Sequence, residues 1–304
     1  MRLEKLRDLQ LSAAPEPGRP THLSAASGLV RVGSTLYVVA DDELHLGAFP
    51  VSGTAAGTLI RILDGDLPDV LEERKKLKPD FEALTLLPPF TNYPHGALLA
   101  LGSGSRKRRC RGVLLALDGH GVTSAPVRVL DAARLFETLE KEIQDLNIEG
   151  AVVVEDLLLL LHRGNKSHAD NAIITFRLQT LLNSIEHDDS LAKGPILAIQ
   201  HYDLGGIDGI PLCFTDAAAL ADGRLVFSAV AENTEDNYQD GPCLGAAIGV
   251  IAPNGRLQVL HFLDELCKVE GIHAQRDGSS VKLWLVTDAD DASVPAALIT
   301  GELD

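Results

Sequence analysis

A short pattern returns five times along the 304-residue chain. A small polar or acidic residue is followed by glycine or alanine, an apolar segment, a turn, a second apolar segment and a polar cluster. The lead residues are Ser27, Glu82, Glu149, Asp216 and Glu270, at intervals of 55, 67, 67 and 54 residues. Passing from Glu270 through the termini back to Ser27 adds a comparable 61. Four carboxylates and a hydroxyl brought to one point repel one another and raise each other's pKa. Two resolutions exist. A hard cation such as Ca²⁺ takes six to eight oxygens, which makes all five residues candidate metal ligands. Alternatively, the side chains accept backbone N–H groups at the strand starts and tie neighbouring units together.

What positions such a ring is an array of hairpins. Inner strands such as "GAVVV" and "LLLLLH", joined at Glu155–Asp156, are near-continuous apolar runs, as expected of strands covered on both faces. Two further extended segments follow each hairpin, except in the last unit, which ends after "PAALITGEL". The N-terminal "RLEKLRDLQL" supplies the missing strand and removes an exposed edge. The repeat therefore predicts an all-β, five-bladed β-propeller of four-stranded antiparallel blades, a single domain over residues 1–304. The blades span about 24–66, 79–131, 147–205, 213–264 and 268–304 plus 2–11. Helical periodicity at 69–78 and 131–146 marks short connectors on the surface.

Antiparallel geometry puts the loops between second and third strands on the same face as the lead residues. They are 40–43, 102–111, 162–171, 231–241 and 287–293. The loop "GSGSRKRRCR" concentrates Arg106, Lys107, Arg108, Arg109 and Arg111 behind Ser103. With Asn165 and Lys166 from the next blade, Ser103, Arg106, Arg108 and Arg109 form a candidate site for a small anion, such as a phosphate-bearing molecule. A solvated basic loop is the plainer reading. Asp41, Arg163 and Asp288 are the catalytic candidates; acidic "ADD" and "TDADD" also place Asp42, Asp290 and Asp291 nearby. His162 is as well suited to a hydrogen-bonded core position as to a general base.

The net charge of −16 argues against nucleic-acid and anionic-membrane partners. No apolar run reaches the roughly 18–20 residues of a membrane span, and the first residues lack a signal-peptide core. Four scattered cysteines without CxxC spacing are expected to be reduced thiols of a cytoplasmic protein.

The motifs "DFEAL", "NIEGA" and "KVEGI", with "SGL" early and "VTDADD" late, resemble a group of uncharacterised bacterial β-propeller proteins over most of the chain. The E-G or E-A opening is more distantly similar to the esterase-like-phytase group, and the Ser/Glu mixture at strand starts to calcium-dependent apyrases. The apyrase resemblance implies a cation near Ser27, Glu82, Glu149, Asp216 and Glu270, although Asp216 and the flanking residues depart from the apyrase pattern. Three functions follow as expectations. The first is a Ca²⁺-dependent hydrolase of phosphoesters or phosphoanhydrides. The second is a non-catalytic propeller binding a ligand or partner on this face. A glycoside hydrolase ranks below both, because Trp284 lies inside an apolar strand rather than on a sugar platform.

Overall fold

The computed structural model describes residues 1–191, 194–234 and 241–303, with Ser124 and Ala125 described by backbone alone. Residues 235–240 of the expected fourth-blade loop and Asp304 lie outside the described residues. Five antiparallel sheets form the five predicted blades. Blade 1 contains Ala26–Val32, Thr35–Ala40, His45–Pro50 and Thr58–Arg61. Blade 2 contains Phe81–Leu87, Ala97–Gly102, Arg111–Leu117 and Thr123–Asp131. Blade 3 contains Ile148–Val154, Leu157–His162, Asn171–Arg177 and Ile196–Tyr202. Blade 4 adds a two-residue strand, Gly206–Ile207, to Ile210–Ala219, Leu225–Glu232, Cys243–Ile251 and Leu257–Phe262. In blade 5, Val269–Asp277, Ser280–Thr287 and Ala297–Leu303 are completed by the N-terminal Leu3–Asp8.

The first strands of the blades touch one another in sequence and return from blade 5 to blade 1. Second strands are the most enclosed: Ala97–Gly102 and Leu225–Glu232 are buried throughout. Outermost strands such as Leu257–Phe262 are mostly exposed, so burial falls outward from the axis. The Glu155–Asp156 turn forms as expected between paired Val154 and Leu157, with Glu155 at a positive φ of 52°.

Two of the helices are more than surface decoration. Ala133–Leu139 buries Leu135, Phe136 and Leu139, and a helix at Leu178–Asp188, which the sequence reading left unassigned, buries Leu181, Leu182 and Ile185. Both belong to one apolar cluster shared by blades 2 and 3. They fill the wedge that opens between blades with distance from the axis. The third helix, Leu71–Leu77, leaves Leu71 and Leu77 exposed and buries only Arg74.

Candidate functional site

Every first strand carries a β-bulge near its start. The register shifts fall between Ala26 and Gly28, Phe81 and Ala83, Ile148 and Gly150, Phe214 and Asp216, and Val269 and Gly271. The residue left over by each bulge faces away from the ladder, which gives a ring of Ser27, Glu82, Glu149, Thr215 and Glu270. Asp216 is thus one residue out of place as a ring member. A single-residue slip moves a side chain to the other face, and spacing alone could not reveal it.

Asp216 occupies the position taken by Gly28, Ala83, Gly150 and Gly271 in the other blades. At three of these, a Cβ would strike the neighbouring blade. On Gly28 it would lie 2.9 Å from Glu82 O, on Gly271 2.8 Å from Ser27 O, and on Gly150 3.2 Å from the Asp216 Cα. The recurrent glycine is therefore a matter of blade packing. The Asp216 carboxylate, 1% exposed, accepts the N–H groups of Ala217 (2.8 Å) and Ile272 (3.0 Å), and the nearby Leu29 amide helps to stabilise its charge. Burial pushes its pKa well up, while these amides work in the opposite direction. At this one position the backbone-tying alternative accounts for the residue. Thr215 is likewise engaged, 2.8 Å from both Val269 O and Ser228 Oγ.

The other ring members, Ser27, Glu82, Glu149 and Glu270, line a cleft of about 190 Å³ at the channel mouth. Residues just beyond the second strands join them, including Asp41, Arg163 and Asp288. Two groups of charges face one another there. On the blade 1–2 side, the Lys78 ammonium contacts Asp41 and lies 3.0 Å from Asp80 Oδ1. Arg109 Nη1 is 2.7 Å from Asp80 Oδ2, which also accepts the Ser103 hydroxyl. One oxygen each from Asp41, Asp80 and Glu82 lies within 4.8 Å of the others, forming a compact all-oxygen donor set. Asp80 holds a left-handed backbone (φ 59°), at a cost of about 1 kcal/mol.

On the blade 3–5 side, Arg163 bonds Glu149 Oε2 (3.2 Å) and Glu232, and approaches Glu270 Oε1 at 3.6 Å. Lys268 reaches Glu270 (3.4 Å), Glu232 (3.7 Å) and Asp290 (2.7 Å). Asn147 Nδ2 donates to Glu149 Oε1 at 2.6 Å.

Carboxylates outnumber cations in this cleft, and their proton affinities respond. Burial raises Glu149 to about 7, against the opposing pull of Arg163. Burial likewise brings Asp41 to about 6, opposed by Lys78. Glu82 is pushed well above the carboxylate range by burial and by Glu149, Asp80 and Asp41. Asp288 moves the same way, chiefly through burial, with Lys268 opposing. Burial works against the charge of Lys78 and Lys268, but the carboxylates around each hold it firmly protonated.

The basic loop departs from expectation. A short 3₁₀ turn at Lys107–Arg109 directs Arg109 inward, where it pairs with Asp80 and Ser105, and leaves Arg106 and Arg108 exposed. Arg108 and Arg111 border a different cavity. Of the anion-binding candidates, only Arg109 and Asn165 line the mouth; Ser103 lies behind it as a partner of Asp80, and Lys166 is exposed outside the lining. Asn165 Oδ1 is occupied by the His168 N–H at 2.8 Å. The acidic turns all border the cleft, which Asp41, Asp42, Asp288, Asp290 and Asp291 line; of these, Asp42 is engaged by Arg74 Nε at 3.0 Å and Asp291 caps its own turn through Ser293. His162 is a core residue: 2% exposed, it accepts the Asn147 N–H through Nδ1 at 3.1 Å, and burial lowers its pKa to about 4.

Sequence reasoning missed Lys78, Asp80, Asn147, Glu232 and Lys268. A signal for three of them was present. Asp80, Asn147 and Lys268 each stand two residues before a ring glutamate, where the two-residue strand period returns a side chain to the same face.

Among solved structures the chain is similar to a luciferin-regenerating enzyme, with 10% identity and a TM-score of 0.48 over 100% of this chain and 95% of that one. It is similar to a mannose phosphorylase from Leishmania mexicana solved with a phosphate ion, with 14% identity and a TM-score of 0.46 over 98% and 88% of the two chains. A Bacillus subtilis arabinanase aligns at 12% identity and a TM-score of 0.38, over 96% of each chain. No curated protein matches. Among the described residues, no helix is long and apolar enough to cross a membrane. The family is shown by a match over residues 22–303: the chain belongs to DUF6929, a family of unknown function.

Proposed function

We propose that the protein is a metal-dependent hydrolase of phosphoesters or phosphoanhydrides, acting at the mouth of the propeller. The observation that carries the reading is the convergence of Asp41, Asp80 and Glu82, with oxygens within 4.8 Å of one another in a cleft. Three carboxylates from two blades are a hard-oxygen donor set suited to Ca²⁺, and burial raises the proton affinity of two of them, Asp41 and Glu82. Ca²⁺ bound there would polarise a phosphate oxygen of a small anionic substrate. Arg109 and Ser103 hold Asp80 in place. Glu149, with its pKa near neutrality on the adjoining blade, is the group suited to exchange a proton with water or a leaving group.

The test is hydrolysis of a panel of nucleotides and aryl phosphates, with Ca²⁺ or chelator, by the wild type, Glu82→Gln and Asp80→Asn. Activity that requires Ca²⁺ and falls by at least about a hundredfold in both variants is expected. Activity indifferent to chelator and to both substitutions rejects the site.

A non-catalytic ligand-binding propeller is the second reading. It is favoured by one observation: Lys78, Arg109, Arg163 and Lys268 are each already paired with carboxylates. Ca²⁺ binding with no turnover of any phosphate ester in the panel would select it.

A further inference from the structure

Lys78 stands where a cation would. Its ammonium contacts Asp41 and lies 3.0 Å from Asp80 Oδ1, two of the three carboxylates that cluster within 4.8 Å. An ammonium has three donors and no acceptor, and a divalent ion needs these same oxygens. Both cannot hold them at once. Arg109 is a poor candidate for displacement, because it is 5% exposed and also braced by Ser105 at 2.9 Å.

The surroundings of Lys78 allow it to leave. Its backbone is pinned at the end of helix Leu71–Leu77, where its N–H donates to Arg74 O at 2.7 Å. The side chain beyond that anchor is 11% exposed, and lysine's flexible four-carbon stem lets one ammonium serve more than one partner. Lys78 also borders a second cavity, about 240 Å³, whose wall includes the exposed carboxylates Asp64 and Asp66. That wall also carries Arg108 and Arg111, so an ammonium driven from Asp41 and Asp80 would meet Asp64 and Asp66 beside two guanidiniums.

We propose that Lys78 is a tethered competitor for the divalent cation: it neutralises Asp41 and Asp80 until a metal enters, then swings toward Asp64 and Asp66. This rests on the cation-binding reading above and adds its regulation. The lysine sets a threshold concentration below which the site stays filled by the protein's own charge.

Two measurements on the full chain test the exchange. Calorimetric titration with Ca²⁺ should show Lys78→Gln binding about tenfold more tightly than the wild type, since the competitor is gone. In the wild type, acetylation of Lys78 by an N-hydroxysuccinimide ester, read by mass spectrometry, should rise severalfold when Ca²⁺ is added. Equal Ca²⁺ affinity in the two proteins, or Lys78 labelling that does not respond to Ca²⁺, overturns the competitor and leaves the cation site standing. Absence of Ca²⁺ binding by either protein overturns both. The labelling arm uses the wild type alone and is informative even where the variant fails to fold.

Discussion

Replacing Asp216 by alanine tests the assignment of this residue to blade assembly. The carboxylate accepts the amides of Ala217 in its own blade and Ile272 in blade 5, lies near the Leu29 amide of blade 1, and is 1% exposed. Each buried N–H left without a partner costs about 1–3 kcal/mol. Two such groups, less the relief of no longer burying an acid, give a net loss of about 3 kcal/mol. For a chain of this size that is a fall in Tm of roughly 5 °C. Asp216→Asn keeps one acceptor oxygen and nearly the same volume, so it should lose about 1–2 kcal/mol. Urea denaturation and thermal melting followed by circular dichroism measure both variants without calcium. The informative comparison is Asp216→Ala with Asp216→Asn. A wild-type Tm in Asp216→Ala would refute the argument that this carboxylate binds the blades together. If Asp216→Ala is stable but loses Ca²⁺ affinity, Asp216 belongs with the ligands after all.

Two further outcomes concern the mouth. Glu149 has a folded pKa raised from 4.5 to about 7 and Asp41 one raised from 3.8 to about 6, so each contributes stability that is present below its unfolded value and lost as pH rises through the folded one. His162, lowered from 6.5 to about 4, acts oppositely: its contribution is present above 6.5 and lost as pH falls toward 4. Metal-free protein should therefore be most stable in mildly acidic solution, and Glu149→Gln should flatten the decline between pH 4.5 and 7 in urea titrations. Arg163→Met removes the guanidinium shared by Glu149, Glu232 and Glu270, and should destabilise by about 3–5 kcal/mol at pH 7.5 but distinctly less at pH 5.5, where Glu149 takes up a proton. A pH-independent loss would mean that packing of the Arg163 stem, rather than its charge, carries the effect.

The blade count, the closing role of Leu3–Asp8 and four of the five ring positions were legible because a propeller writes its period into the chain. Ring membership failed at Asp216 for a local reason. Spacing locates a strand start to within a residue, while a bulge decides which neighbour faces the channel. The basic loop misled for a different reason: net charge says nothing of path, and one 3₁₀ turn sent Arg109 inward and its neighbours out. The helices at Ala133–Leu139 and Leu178–Asp188 were harder to place, since their apolar faces fill a wedge that exists only once the blades diverge. Lys78 and Asp80 join the site because a left-handed residue turns the chain there, and left-handed aspartates also occur at four other described positions.

Arrays of repeated modules commonly shed or gain units, because each module meets only its immediate neighbours. Asp216 breaks that rule here. Its buried carboxylate in blade 4 accepts the Ile272 N–H of blade 5 and is stabilised by the nearby Leu29 amide of blade 1, so the loss of blade 5 or blade 1 strips a donor from a buried acid in blade 4. The ring should melt as one cooperative unit and leave no stable four-blade remnant. Evolution by duplication or deletion of a blade would first have to replace this one side chain.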